Sequence, residues 1–201
     1  MISSWINFMV MIVSALLFSY FYIKSVSPAA LEKKIGKIAY FRCGRYRLIA
    51  SVFEIIVIIN YIVYFFYPLP VPFSRAFPWS WWISALAAAL ISIPAGYLLG
   101  KGLKDAGREA IIPKKTHLLY SGIYKKIRHP QAAGELVFWW VVAFLLNSPF
   151  LALLSFIWIP IFYLFCWAEE RDLVIRYGNK YLEYRKNTGF IIPKRMGKKR
   201  Y

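Results

Sequence analysis

The chain has 201 residues, of which 60% are hydrophobic and 17% are charged, and its mean hydropathy is +0.50. Soluble domains average about 45–50% apolar and about 25% charged residues, so this composition excludes a disordered tail and indicates an integral membrane protein. The chain carries 26 Lys and Arg against 9 Asp and Glu, a formal net charge of +17. Its cysteines, Cys43 and Cys166, form no CxxC motif, and we expect neither a disulfide framework nor a metal site.

Five apolar segments predict membrane-spanning helices, each of which needs ~20 apolar residues. They cover residues 5–23, 48–67, 79–100, 131–147 and 149–168. The first lacks the basic start and short apolar core of a cleaved signal peptide, so we expect it to be retained. The run Asn147-Ser148-Pro149 is typical of a cap before a helix, so spans four and five should form a tight antiparallel hairpin. The prediction is an all-α membrane bundle of five spans, a single domain over residues 1–201.

The cations lie almost entirely on one side of these spans. Seven Lys and Arg follow span one, eight follow span three and ten follow span five, while Arg75 alone lies elsewhere. The positive-inside rule makes the crowded side cytoplasmic, with the N-terminus outside and the C-terminus inside. Juxtamembrane cations lie against anionic lipid headgroups, so the charge predicts contact with membrane lipids and no nucleic-acid binding.

Polar side chains concentrate in two stretches, residues 116–130 before span four and residues 169–178 after span five. Because these spans form a hairpin, we expect Arg128 and His129 to lie close to Glu169 and Glu170. Such groups at the mouth of an apolar bundle suit a zwitterionic, partly polar ligand. An interfacial anchor at residues 128–130 and a solvated acidic pair are the alternative interpretations.

The C-terminal half carries a spaced motif whose residues extend from Leu119 to Pro193. Its members are Leu119, Gly122, Tyr124, Arg128-His129-Pro130, Gly134, Glu169-Glu170, Leu173, Tyr177-Gly178, Tyr181, Tyr184 and Thr188-Gly189-Phe190-Ile191-Ile192-Pro193. This pattern resembles the isoprenylcysteine carboxyl methyltransferase and phospholipid methyltransferase family over roughly residues 105–194, with motifs at 105–135 and 165–194.

The resemblance implies an integral membrane methyltransferase that binds S-adenosylmethionine at the cytoplasmic end of the last spans. A lipophilic acceptor, isoprenylcysteine carboxylate-like or phospholipid-like, would enter from the bilayer. Glu109 falls where the family has a further polar contact. The cofactor-binding residues implied by position are Thr116, His117, Leu118, Leu119, Gly122, Tyr124, Arg128, His129, Pro130, Gln131, Ala132, Glu169 and Glu170.

Three positions depart from the family pattern. Phe165 replaces an Arg that suits an acceptor carboxylate, Ala132 replaces a Tyr, and Ala110 replaces a Trp. A buried carboxylate without its cation is costly, so these departures argue against prenylcysteine as the acceptor.

Two acids lie inside predicted spans, where an ionisable residue is a functional hypothesis by default. Glu135 is the candidate catalytic base if the acceptor is an amine, and a structural hydrogen bond is the alternative. Glu54 is nearer the cytoplasmic end of its span, with Arg45 and Arg47 as candidate partners.

The C-terminal tail predicts an interfacial helix that covers the cofactor pocket, because its tyrosines recur at helical spacing between cations. Two other functions stay open. Sterol and steroid reductases share the architecture and an Arg-His-Pro-like motif but bind NADPH, and a scaffold of the same fold would bind no cofactor.

Overall fold

The computed structural model describes residues 2–115 and 121–194, and these form helices, turns and one isolated parallel bridge between Ile127 and Gly189. The α-helices are α1 (Ile2–Ser25), α2 (Pro28–Ile35), α3 (Ile38–Phe66), α4 (Trp81–Ala106), α5 (Pro130–Leu145), α6 (Pro149–Leu154), α7 (Trp158–Tyr177) and α8 (Asn179–Asn187). Short 3₁₀ turns cover Gly107–Ala110, Gly122–Lys125 and Ser155–Ile157. The predicted all-helical class is therefore confirmed for the described residues.

Four helical segments in the described ranges are long and apolar enough to cross a membrane: Ile2–Ser25, Ile38–Phe66, Trp81–Ala110 and Pro149–Tyr177. They overlap four of the five predicted spans, although the second predicted span ends one residue after Phe66 and the third begins two residues before Trp81. The remaining one coincides with α5, whose 16 residues extend about 24 Å, somewhat less than the ~30 Å of hydrocarbon. The fifth span stays a prediction. Helix α3 begins well before the predicted residue 48, and the helix ending at Tyr177 continues past the predicted residue 168.

Helices α4 and α5 pack closely through glycines. A Cβ atom on Gly134 would lie 2.5 Å from the Ala95 carbonyl oxygen, and one on Gly102 would lie 2.8 Å from Gln131 Cγ. Both contacts are shorter than real Cβ atoms make, so the two helices approach this closely because these residues are glycine. The approach sets the position of the first turns of α5, which carry Gln131 and Glu135.

The predicted hairpin between α5 and α7 is present. The side chain of Ser148 caps α6 by accepting a hydrogen bond from Leu151 N at 3.3 Å, with Pro149 at the first helical position. Trp139 of α5 stacks on Trp158 of α7 with centroids 4.2 Å apart. These contacts bring the start of α5 and the end of α7 to the same end of the bundle.

Helix α2 is held against α7 by one carboxylate. Asp172 accepts hydrogen bonds from the backbone N–H groups of Ala29 at 3.1 Å and Ala30 at 2.8 Å. These are first-turn amides of α2, which lack partners within the helix. The contact positions the connection between α1 and α3 beside the charged end of α7.

Candidate active site

A cavity of about 560 Å³ lies between α3, α4, α5 and α7, with α8 at one end. This volume falls within the ~300–1,000 Å³ of ligand pockets in proteins. Its apolar lining residues include Leu48, Ile55, Ile58, Leu99, Leu103 and Phe138. Its polar lining residues include Arg47, Glu109, Tyr124, Arg128, His129, Gln131, Glu169, Arg176, Tyr181 and Tyr184. The cavity therefore suits a ligand with one charged and one apolar part.

Four charged side chains meet where α5 begins and α7 leaves the bundle. Arg128 Nε donates to Glu170 Oε1 at 2.7 Å, and His129 Nε2 lies 3.1 Å from the same oxygen. His129 Nδ1 lies 3.3 Å from Glu169 Oε2. The predicted proximity of the Arg-His pair to the Glu-Glu pair is thus confirmed.

The histidine in this cluster is held as an imidazolium. Burial disfavours its charge, but hydrogen bonding to Cys166, Glu169 and Glu170 outweighs burial and raises the pKa of His129 well above its ordinary value. Both ring nitrogens face carboxylates, which only the doubly protonated ring can satisfy as donors. His129 therefore neutralises charge and fixes Glu169 at the cavity wall.

The loop before α5 is held in place by the C-terminal segment. The backbone N–H of Arg128 donates to Gly189 O at 2.8 Å, and that of His129 donates to Phe190 O at 3.1 Å. The Tyr184 hydroxyl donates to Tyr124 O at 2.6 Å. Through these bonds Gly189 and Phe190 form one structural unit with the Arg-His-Pro motif.

Tyr124 links this loop to α4 and α5. Its hydroxyl donates to Gly102 O at 3.2 Å and accepts from Gln131 Nε2 at 2.9 Å. Burial raises the pKa of Tyr124, so the hydroxyl remains a donor at neutral pH. A tyrosine here closes the polar end of the cavity.

Gly122 has a structural role that its place in the motif did not reveal. Its φ is +56°, and a Cβ atom there would lie 2.0 Å from the Asp105 carboxylate. That carboxylate accepts from Ile123 N at 2.7 Å and pairs with Lys101 at 2.7 Å. The glycine therefore lets the turn close on α4.

Among the polar cavity residues that were not predicted to bind the cofactor are Arg47, Arg176 and Tyr181, the last of which was expected only as part of the helix that covers the pocket. Arg176 Nη2 donates to Glu109 Oε1 at 2.8 Å, and Arg47 Nη1 donates to the carbonyl oxygens of Glu109 and Ala110. Helical spacing could have revealed Arg176, which follows Glu169 by two turns. No sequence signal brings Arg47 to this site, because α3 reaches it only through tertiary packing.

Each of these three residues also offers an unused polar atom. Arg47 Nε, Arg176 Nε and the Tyr181 hydroxyl are buried and have no hydrogen-bond partner among residues 2–115 and 121–194. Burial raises the pKa of Tyr181, so its hydroxyl stays a donor. Unpaired buried donors are costly, and a ligand with anionic or carbonyl oxygens would satisfy them.

The two acids of the predicted spans face one another. Glu54 of α3 and Glu135 of α5 both line the cavity, and their carboxyl groups are within hydrogen-bonding reach. Glu54 therefore lies against Glu135, while Arg47 is engaged by backbone carbonyls.

Phe165, where the family has an arginine, is part of the apolar core. It is 2% exposed and stacks on Tyr22 with centroids 4.4 Å apart. One turn before Glu169, Phe165 therefore places an aromatic ring, and no positive charge, among the described residues.

The predicted cofactor-binding residues divide into three groups. Those that line the cavity are Tyr124, Arg128, His129, Pro130, Gln131, Ala132 and Glu169. Gly122 contacts Asp105, and Glu170 is held by Arg128 and His129. Thr116, His117, Leu118 and Leu119 lie outside the described residues. No cluster of three or more metal-ligating side chains occurs in the part of the chain that the structure describes.

Comparison with known proteins gives a family and two relatives. Residues 102–180 match the phospholipid methyltransferase family. The chain is 36% identical over 117 residues to a methanethiol S-methyltransferase of Pseudomonas sp. (strain GM41(2012)), covering 57% of this chain and 43% of that protein. It is 39% identical over 72 residues to a methanethiol S-methyltransferase of Pseudomonas deceptionensis, covering 35% of this chain and 26% of that protein.

The chain thus matches less than half the length of either curated relative. No solved structure matches it at a significant level. The matched residues, 102–180, contain the Arg-His-Pro motif and the Glu-Glu pair, two of the features on which the resemblance rests, whereas Tyr181, Tyr184 and residues 188–193 lie beyond them. Over residues 102–180, which make up less than half of the chain, the sequence is similar to the phospholipid methyltransferase family.

Proposed function

We propose that this protein transfers a methyl group from S-adenosylmethionine to a lipophilic thiol at the cytoplasmic face of a membrane. The observation that carries the proposal is a cavity whose wall combines charged side chains and unpaired donors with apolar helix faces. The phospholipid methyltransferase family matches residues 102–180, which contribute one part of the cavity wall, including His129 and Glu169.

The residues at the polar end fit S-adenosylmethionine, which carries a carboxylate, an ammonium group, a ribose and a sulfonium. Arg47, Arg176 and Tyr181 supply donors for the carboxylate. Glu169 accepts hydrogen bonds from the ribose hydroxyls or the ammonium group, and Tyr124 offers an aromatic face to the sulfonium. The bound cofactor supplies a methyl group on positively charged sulfur. Gln131 and Ala132 complete the proposed cradle among the described residues, and residues 116–119, which the resemblance also implies, lie outside the described ranges.

The acceptor is proposed to be a thiol because the cavity contains an acidic pair where a carboxylate acceptor would need a cation. Glu54 and Glu135 face each other, and Phe165 stands at the family's arginine position. A further carboxylate beside them would be repelled and poorly solvated. A neutral thiol avoids this cost, and methanethiol is the acceptor named for both curated relatives.

The proposed orientation has five spans, with α5 as the fourth, the N-terminus outside and the C-terminus in the cytoplasm. The distribution of Lys and Arg supports it, since all but Arg75 lie on one side of such an arrangement. Helix α8 would lie at the interface, where Tyr181 and Tyr184 cover the polar end of the cavity. The apolar wall would then open toward the bilayer, from which the acceptor enters.

The test is a binding and turnover measurement on the purified full chain in lipid nanodiscs. We expect S-adenosylmethionine to bind more tightly than NADPH by calorimetry, and labelled methyl to pass to ethanethiol. Glu169→Gln should weaken binding at least tenfold, whereas Glu183→Gln, the same change at an exposed position of α8, should leave binding unchanged.

Three results would contradict the proposal, the last of them only in its acceptor. Tighter binding of NADPH would identify a reductase, and binding of neither ligand would identify a scaffold. Transfer of label to phosphatidylethanolamine but to no thiol would support the proposed methyltransferase activity and contradict the proposed thiol acceptor.

A further inference from the structure

We propose that Glu54 and Glu135 act as one proton-accepting unit, which holds a single proton between the two carboxyl groups and takes the proton that the acceptor thiol loses. The inference rests on the proposed function, because it requires a thiol and a sulfonium methyl donor in the cavity.

The first support is the contact itself. Glu54 on α3 and Glu135 on α5 lie within hydrogen-bonding reach of one another, and both line the cavity. Ionised carboxylates are acceptors only, so a hydrogen bond between two carboxyl groups requires a proton on one of them. Both side chains are only partly buried, since they face the cavity, so a ligand can reach them.

The surroundings favour one negative charge on the pair rather than two. The titratable and charged groups that face it are Tyr22 from α1, Arg47 from α3, and Cys166 and Glu169 from α7. α4 contributes the apolar Leu99 and Leu103 to the cavity wall.

Arg47 is the one cation among these neighbours, and its Nη1 is shared by the carbonyl oxygens of Glu109 and Ala110. Glu169 is negative and held by His129. A second negative charge on the pair would therefore lack a cation of its own, at a depth where an isolated charge is costly.

The pair lies at the boundary between the polar and apolar parts of the cavity. Arg47 precedes Glu54 by two turns of α3, about 10 Å, and Gln131 precedes Glu135 by one turn of α5, about 6 Å. One turn beyond the pair, Ile58 and Phe138 belong to the apolar wall. A cofactor held at the polar end and an acceptor in the apolar end would meet beside these carboxyl groups.

Charge and atoms balance in the proposed step. The acceptor sulfur forms a bond to the methyl carbon, and the bond between that carbon and the sulfonium breaks, with its electron pair staying on the leaving sulfur. The thiol proton moves to the carboxylate of the pair. A positive sulfonium and a singly negative pair become a neutral thioether and a neutral acid pair, and the extra proton returns to solvent when the pair ionises again.

The same arrangement predicts which acceptors need the pair. An alkanethiol is protonated at neutral pH and must lose its proton during transfer. An aryl thiol is much more acidic and is largely ionised before it reacts. The pair should therefore matter for the first class of acceptor and little for the second, which a merely structural role would not produce.

The experiment compares Glu54→Gln, Glu135→Gln and the double variant with wild type, using ethanethiol and thiophenol as acceptors at pH 7.5. With ethanethiol we expect each single variant to lose about 10²–10⁴-fold in turnover, the usual range for a lost acid–base group. The double variant should be no slower than the slower single one, because the two residues act as a unit. With thiophenol the loss should be below tenfold.

A second readout needs no turnover. Infrared spectroscopy of the ligand-free protein should show a protonated carboxyl band at neutral pH that disappears in Glu135→Gln and in Glu54→Gln. Glu183→Gln, in α8, should retain the band and full activity. Affinity for S-adenosylmethionine should stay within about threefold of wild type in all variants, which shows that the fold and the cofactor end of the cavity are intact.

Equal losses with both thiols would show that the pair only positions the helices. No loss with ethanethiol would show that the thiol proton goes to another group. Either result, with a wild type that still methylates thiols, overturns the inference about the pair alone. A wild type that binds no S-adenosylmethionine or methylates no thiol overturns the proposed function itself, and the role of the pair with it. If Glu135→Gln fails to fold, Glu54→Gln carries the same comparison.

Discussion

The imidazole Nε2 of His129 lies 3.1 Å from the carboxylate Oε1 of Glu170, 41 residues later in the chain. The same oxygen accepts a hydrogen bond from Arg128 Nε at 2.7 Å. Glu170 is 8% exposed, so this is a buried ionic contact. It joins the first residues before α5 to the last turns of α7 and thereby closes the polar end of the cavity.

Glu170→Gln is expected to destabilise the protein because it leaves Arg128 without its carboxylate and His129 with Glu169 alone. Breaking a buried pair by removing one partner costs about 3–5 kcal/mol, and we expect a loss near the lower value because the amide retains some hydrogen bonding. Unfolding of the detergent-solubilised protein measures it. Glu183→Gln, at an exposed position, should change the free energy of unfolding by less than about 0.5 kcal/mol. Equal effects of the two changes would show that the ionic cluster contributes nothing.

His129 should make the protein lose stability as the pH rises above neutral. Its pKa is raised in the folded state by Cys166, Glu169 and Glu170. The imidazolium therefore contributes its full stabilisation below the unfolded pKa of about 6.5, and this is lost as pH rises through the raised folded value.

Comparison of wild type with His129→Asn tests this sign. Between pH 6.5 and pH 10 the difference in their free energies of unfolding should shrink, because only the wild type loses a bound proton in this window. Carbon-labelled histidine followed by NMR measures the pKa of His129 directly. A difference that grows with pH, or a pKa at or below about 6.5, would contradict the assignment.

Gly134→Ala should push α5 away from α4, since the added Cβ atom would lie 2.5 Å from the Ala95 carbonyl oxygen. Because backbone cannot yield as a flexible side chain does, we expect about 1–3 kcal/mol of destabilisation. Glu135, the next residue, would be displaced, so turnover should fall as well. Gly100→Ala on α4 is the matched control, because nothing lies within 4 Å of its Cβ position. Thermal unfolding should show the control unchanged or slightly stabilised; the same loss in both variants would reject the close contact.

Gly122→Ala should be more harmful than Gly107→Ala, although both residues have positive φ, at +56° and +58°. At Gly107 the new Cβ atom meets nothing within 4 Å, so that variant measures backbone strain alone, about 1–3 kcal/mol at its φ of 58° and ψ of −138°. At Gly122 it would also displace the Asp105 carboxylate, and the hydrogen bond to Ile123 N would be lost. Chemical denaturation of both proteins gives the comparison, and equal losses would mean that Asp105 relaxes freely.

The sequence by itself was enough to predict the helical class, because apolar runs of membrane length allow few other structures. It also predicted the hairpin, since Ser148 and Pro149 encode a local cap that needs no tertiary contact. The meeting of Arg128 and His129 with Glu169 and Glu170 followed from that hairpin, and the structure confirms it. The position of Leu173 and Arg176 on the cavity side of α7 could have been read from helical spacing.

The packing of the helices determines which residues of α3 and α8 reach the cavity. Arg47, Glu54 and Tyr181 are distant in sequence from the Arg-His-Pro motif. Their side chains line the same cavity as the motif because glycine contacts and aromatic stacking set the helix positions. Glu54 had arginines as its nearest candidate partners in sequence, yet it faces Glu135. Local pattern determines where helices form and where charge lies along them. Which side chains from different helices share a cavity depends on how the helices pack, a property of the whole fold.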